Sequence, residues 1–153
     1  MRQTTLSLLG FFILAALGSS PALAQDHSRG WDQGHIVQVT EVRIKDGMLN
    51  AYINDLNNVW RKFLEAQIED GDVVDYGMFL NPDKRDGEPD LYLTVTFKNW
   101  AAYDRGVEYF EALGEKVFGS TKEMREANID RGELRTIGST YTLREISFKE
   151  ASE

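Results

Sequence analysis

The spacing of apolar residues changes period several times along this chain, and each change marks an element. From Met48 to Asp70 the apolar positions are Leu49, Tyr52, Ile53, Leu56, Val59, Trp60, Phe63, Leu64 and Ile68. Gaps of three and four put them on one side of a helix. Asn50, Asn54, Asp55, Asn58, Arg61, Lys62, Glu65 and Glu69 fall on the other side, and Gly71 follows as a C-terminal cap. Before this helix, His35 to Ile44 (HIVQVTEVRI) is rich in β-branched residues and reads as a strand, turned by Asp46-Gly47. After it, Asp72 to Leu80 reads as a second strand, and Asn81 to Pro89 is turn-forming throughout. Asp90 to Lys98 is a third strand with clean alternation. Leu91, Leu93, Val95 and Phe97 share one face, and Tyr92, Thr94 and Thr96 share the other.

Helical spacing returns at Trp100, Tyr103, Val107, Phe110, Leu113 and Val117. The spacing predicts one helix over 100–118, capped by Asn99, weakened at Gly106 and Gly114, and ended by Gly119. Ser120 and Glu123 stand at capping-box spacing and open a short third helix to about Arg131, where Gly132 breaks the pattern. Ser139 to Phe148 is the last strand. The order β-α-β-β-α-β predicts an α+β fold of ferredoxin-like type: a four-stranded antiparallel sheet with helices on one face. The other face is not polar enough to be left in water. It shows Tyr92, Thr94 and Thr96, and both faces of the first strand are partly apolar. A second copy of the chain, sheet against sheet, is the expected cover, so the sequence predicts a homodimer.

These features resemble the dimeric α/β-barrel superfamily. The resemblance rests on the element order, on Lys45-Asp46-Gly47 leading into a long helix bearing Tyr52 and Trp60, and on the Asp90–Phe97 strand leading into Asn99-Trp100. Within that group the chain looks most similar to exported bacterial proteins of unknown activity related to the antibiotic-biosynthesis-monooxygenase-like members. The resemblance implies sheets paired into a barrel. Such proteins include oxygenases, haem-handling enzymes, isomerases and binding proteins, so it implies no single activity, and no catalytic residue carries over.

Composition and the first residues add a compartment. Arg2 is followed by the apolar run Leu6–Gly18, by the breakers Ser19-Ser20-Pro21, and by the small-x-small site Ala22-Leu23-Ala24. This is the layout of a signal peptide over 1–24, cleaved before Gln25. The run is shorter than the roughly 20 residues a membrane span needs. The chain has no cysteine, which closes the lipoprotein route. The expected location is periplasmic or secreted, with no membrane attachment after cleavage. Residues 25–34 read as a flexible leader, 35–149 as the domain and 150–153 as a polar tail. The formal charge of −8, without a basic cluster, argues against nucleic acid as a partner.

Reactive chemistry is sparse. Only two histidines are present, His27 and His35, and neither belongs to a zinc-binding pattern. The oxygen-bearing loop residues Asn81, Asp83, Asp86, Glu88 and Asp90 fail the order of a calcium loop, with Pro82 and Lys84 interposed. No phosphate-cradling glycine loop and no nucleophile elbow occurs, and no cofactor is indicated. One weak constellation remains on the strands: His35, Asp75, Tyr76, Tyr92, Tyr141 and Arg144. Set around a barrel cavity, these could move protons. Taken as packing and surface residues, they need no function. Arg125, Arg131 and Arg135, among Glu123, Glu126 and Asp130, read as a solvated face with local ion pairs. Three readings follow. The preferred one is an exported dimeric protein that binds an apolar or aromatic small molecule. The others are a cofactor-independent oxygenase or isomerase acting on such a molecule in the barrel cavity, and an interaction module without a pocket.

Overall fold

The computed structural model describes residues 29–149; the signal segment read over 1–24 and the tail over 150–153 lie outside them. The first strand, β1 (Trp31–Ile44), leads into a long helix α1 (residues 49–69), then β2 (Val73–Leu80) and β3 (Leu91–Phe97). Three helices follow, α2 (Trp100–Tyr103), α3 (Val107–Phe118) and α4 (Thr121–Leu134), before β4 (Arg135–Phe148). The sheet order is β2-β3-β1-β4, with every neighbouring pair antiparallel. This is the ferredoxin-like arrangement expected from the element order. Among the described residues no helix is long and apolar enough to cross a membrane.

The core forms where the stripe of α1 meets one face of the sheet. Tyr52, Leu56 and Leu64 are buried against Ile36, Val42, Leu91, Leu93, Val95 and Phe97, and Trp60 packs against both halves of the cluster. Register fixes the two sheet faces. Ile36 lies opposite Phe97 and Val42 opposite Leu91, so Ile36, Gln38, Thr40 and Val42 face the helices. Val37, Val39 and Glu41 lie opposite Thr96, Thr94 and Tyr92 on the open face. That face also carries Phe79, Tyr141 and Leu143, all exposed. α1 is not uniform: residues Leu56–Trp60 form one π-helical turn between two α-helical segments.

Several boundaries differ from the sequence reading, each because of a distant partner. β1 starts at Trp31, not His35, because Trp31, Asp32 and Gln33 pair with Phe148, Ser147 and Ile146. Residues 31–34 therefore belong to the sheet, not to a leader. Gly34 sits where the register shifts, and a side chain there would collide with Glu145. The helix expected over 100–118 is broken between Tyr103 and Val107. In that break Arg105 turns back to Asp72, donating from Nε to Oδ2 at 2.8 Å and from Nη2 to Oδ1 at 2.6 Å. α4 runs through Gly132 to Leu134, and β4 begins at once, because Arg135, Thr136 and Ile137 find partners in Ile44, Arg43 and Val42. The Asn99 and Ser120 caps form as expected, accepting from the N–H groups of Ala102 and Glu123.

Candidate functional site

The six residues singled out on the strands do not converge. His35, Asp75, Tyr92 and Tyr141 occupy open-face positions, while Tyr76 and Arg144 occupy helix-face positions, so the sheet itself separates them. His35 is tied to Glu145, whose Oε2 lies 2.9 Å from both its backbone N and its Nδ1. These bonds hold the Glu145 carboxyl below its ordinary range. Both side chains are solvent-exposed, and the pair bridges β1 and β4 where their register shifts. Tyr76 meets the edge of Trp60 at 5.4 Å between centroids. Arg144 lies opposite Ile36, and its Nε is buried without a partner among the described residues.

What the structure assembles instead is a hollow between α1, the sheet and the α3–α4 segment. Under the helices the sheet is apolar across β3, then turns polar toward β4. Thr40 and Thr140 place their hydroxyl oxygens 3.3 Å apart, and Thr142 Oγ1 donates to Tyr103 Oη at 3.3 Å. Polar residues on that side give α3 and α4 little to pack against, and a space of about 490 Å³ stays open. Its floor is Gln38, Val95 and Phe97; Trp60, Phe63, Leu64 and Gln67 of α1 form one wall. Tyr103, Phe110, Asn128 and Arg131 line the other side, and the space is a cleft open to solvent. A smaller recess of about 80 Å³ shares Trp60, Phe63, Asn128 and Arg131 and adds Val59, Phe118 and Met124. The Phe63 ring stacks at 6.3 Å on both Phe110 and Phe118. On the far side of Trp60 a separate groove of about 420 Å³ runs along Ile53, Asn57, Tyr76 and Met78.

The polar groups of the hollow are few, and two of them, Gln67 and Arg131, are buried. Gln67 is 4% exposed and donates a long bond from Nε2 to the Phe63 carbonyl at 3.4 Å. Arg131 is 8% exposed; its Nε donates to Asp55 Oδ2 at 2.5 Å, while Nη2 is buried without a partner among the described residues. Two sequence readings are corrected here. Asp55 is not on a solvated helix face, because α4 covers it. Arg131 makes no local helical ion pair but a long-range one, across 76 positions of sequence. Beside this pair, burial pushes the Tyr52 hydroxyl above its ordinary range, against the pull of the Arg135 guanidinium. Nothing in spacing distinguishes Arg131 from Arg125, which is exposed; the partner that buries Arg131 is on another helix. Trp60 and Phe63 were visible as an aromatic stripe, but a stripe does not say where packing stops short.

Among the described residues no cluster of three His, Cys, Asp or Glu side chains is placed to hold a metal. The lining of the two connected spaces contains neither a carboxylate nor an imidazole. It consists of aromatic walls, amide donors and acceptors, one phenol hydroxyl and one guanidinium.

No protein-family model matches the chain, and no curated protein matches it in sequence. Among solved structures it is similar to protein SO0527 from Shewanella oneidensis, at 16% identity over 76% of this chain and 97% of that one, with a TM-score of 0.49. It is also similar to a dimeric ferredoxin-like protein from an uncultured marine organism (15% identity, 78% and 100% covered, TM-score 0.46). A third likeness is to a NIPSNAP-family protein with unknown function from Agrobacterium tumefaciens (13% identity, 77% and 92% covered, TM-score 0.47). At these identities and scores no activity passes to this chain. The class it belongs to is set by its own strand order and register: a ferredoxin-like α+β domain with a hollow between its sheet and helices.

Proposed function

We propose that this protein is an exported, homodimeric small-molecule-binding protein whose ligand sits in the hollow between α1, the sheet and α3–α4 of each protomer. The observation that carries this reading is the lining: Trp60, Phe63, Phe97 and Phe110 around a space of about 490 Å³, into which amides and one buried guanidinium converge. An apolar or aromatic molecule of one or two rings suits such walls. The absence of carboxylate and imidazole from the lining favours binding over proton-transfer chemistry, and the open space weighs against an interaction module with a filled interior. The site lies inside each protomer, not between paired sheets, so the sheets are left to serve assembly. Support for the homodimer comes from the open face, where Phe79, Tyr141 and Leu143 are exposed around Val39 and Tyr92. Support for export comes from the layout of residues 1–24.

The test is a fluorescence titration with the neutral dye N-phenylnaphthylamine. The reading expects saturable binding, one dye per protomer. Asn128 is an exposed rim residue, so Asn128→Trp fills the entrance without disturbing the core. It should weaken binding by about tenfold or more, the loss of at least one good apolar contact. Unchanged binding in that variant would sink the assignment of the site.

A further inference from the structure

We infer that the occupant of this hollow is an organic anion: an apolar ring body carrying one carboxylate, sulfonate or phenolate group that docks on Arg131. The inference rests on the pocket reading above and adds the charge of the ligand.

Arg131 is the one charged side chain among the residues lining either connected space. At 8% exposure its guanidinium has been withdrawn from water, and a charge so placed needs its donors filled. Asp55 fills one of them, at Nε. Nη2 has no acceptor among the described residues. A guanidinium presents five N–H groups in a planar fork that fits the paired oxygens of an oxyanion, and the bond from Nε to Asp55 leaves the Nη2 donors of that fork unused. Asp55 is not part of the lining, and no other carboxylate is, so an entering anion meets no like charge on the walls. Gln38, Asn128 and the Tyr103 hydroxyl add neutral donors around the same space. A neutral hydrocarbon would leave Nη2 buried and unpaired; an anionic group would satisfy it with a charge-assisted hydrogen bond. Trp60, Phe63 and Phe110 then hold the rest of the molecule.

Two dyes with the same ring body separate charge from shape. N-phenylnaphthylamine is neutral, and anilinonaphthalene sulfonate adds one anionic group. Titrated into the intact protein, the sulfonate should bind about tenfold tighter than the neutral dye, the ratio one charge-assisted hydrogen bond supplies. In the double variant Asp55→Asn, Arg131→Met both charges leave together, so no carboxylate is stranded in the interior. There the ratio should fall to near one. Asn128→Asp, at an exposed position that cannot unfold the core, should lower the same ratio by placing a carboxylate at the rim. Equal affinities in the wild type, or a preference that survives both variants, would overturn the inference. A protein that binds the neutral dye but shows no preference loses only the anion. A protein that binds neither dye loses the pocket reading as well.

Discussion

Asp72 closes the turn between α1 and β2, and its carboxylate is buried under the bidentate Arg105 guanidinium. The hydrogen bonds from Arg105 are the main reason its pKa lies below the ordinary carboxylate range. A depressed folded-state pKa means stability that is present above the unfolded value, about 3.9, and is lost as the pH falls through the folded one. Arg105→Ala should therefore lower the urea midpoint at neutral pH, and the gap from wild type should close as the pH drops below 4. A gap that stays constant into acid would show that Arg105 acts by packing alone. Phe63 gives a second residue-level test. It is half-buried and stacked between Phe110 and Phe118, so Phe63→Ala should cost about 2–3 kcal/mol, less than the 3–5 of a fully buried ring. Arg61 lies on the exposed side of α1, bonded to Asn57 and Glu65 one turn away, and Arg61→Ala should leave the urea midpoint where it is. Similar losses at both positions would contradict the assigned faces.

At the scale of elements, the readable parts were those whose pattern is local. The α1 stripe and the β3 alternation each repeat often enough to fix a face; the β3 face is as its spacing implies, and the α1 stripe holds through its middle, while Leu49 and Ile68 at its ends are exposed. The unreadable parts were set by residues far away in sequence. The break between α2 and α3 accompanies the reach of Arg105 to Asp72. The continuation of α4 past Arg131 follows from Arg131 being held by Asp55, and the early start of β4 from its ladder with Ile44, Arg43 and Val42. Gly132 misled because glycine suggests a stop, yet here it is an ordinary exposed helical residue with nothing near its missing Cβ. Gly132→Ala should then stabilise the protein by about 0.5–1 kcal/mol, the usual helical advantage of alanine. A lower melting temperature for that variant would mean that α4 needs a glycine backbone at this point.

For the whole molecule, the candidate site was the least legible part. Its walls come from α1, the sheet, α2, α3 and α4 together, and only the fold shows that the polar β1–β4 side leaves them apart. The strand residues picked from sequence lie on two opposite faces of the sheet. Thr94 sits at the middle of the open face, opposite Val39 and Gly77. Thr94→Arg would force an unpaired charge into a sheet-to-sheet contact, at a cost of several kcal/mol. Light scattering should show a dimeric wild type and a monomeric variant; a monomeric wild type would remove the barrel. The most direct measurement of the central claim is a crystal soaked with N-phenylnaphthylamine. The account predicts the dye between Trp60 and Phe110, above Val95 and Phe97, once in each protomer. Dye found only on the open sheet face, or in the groove beyond Trp60, would contradict it.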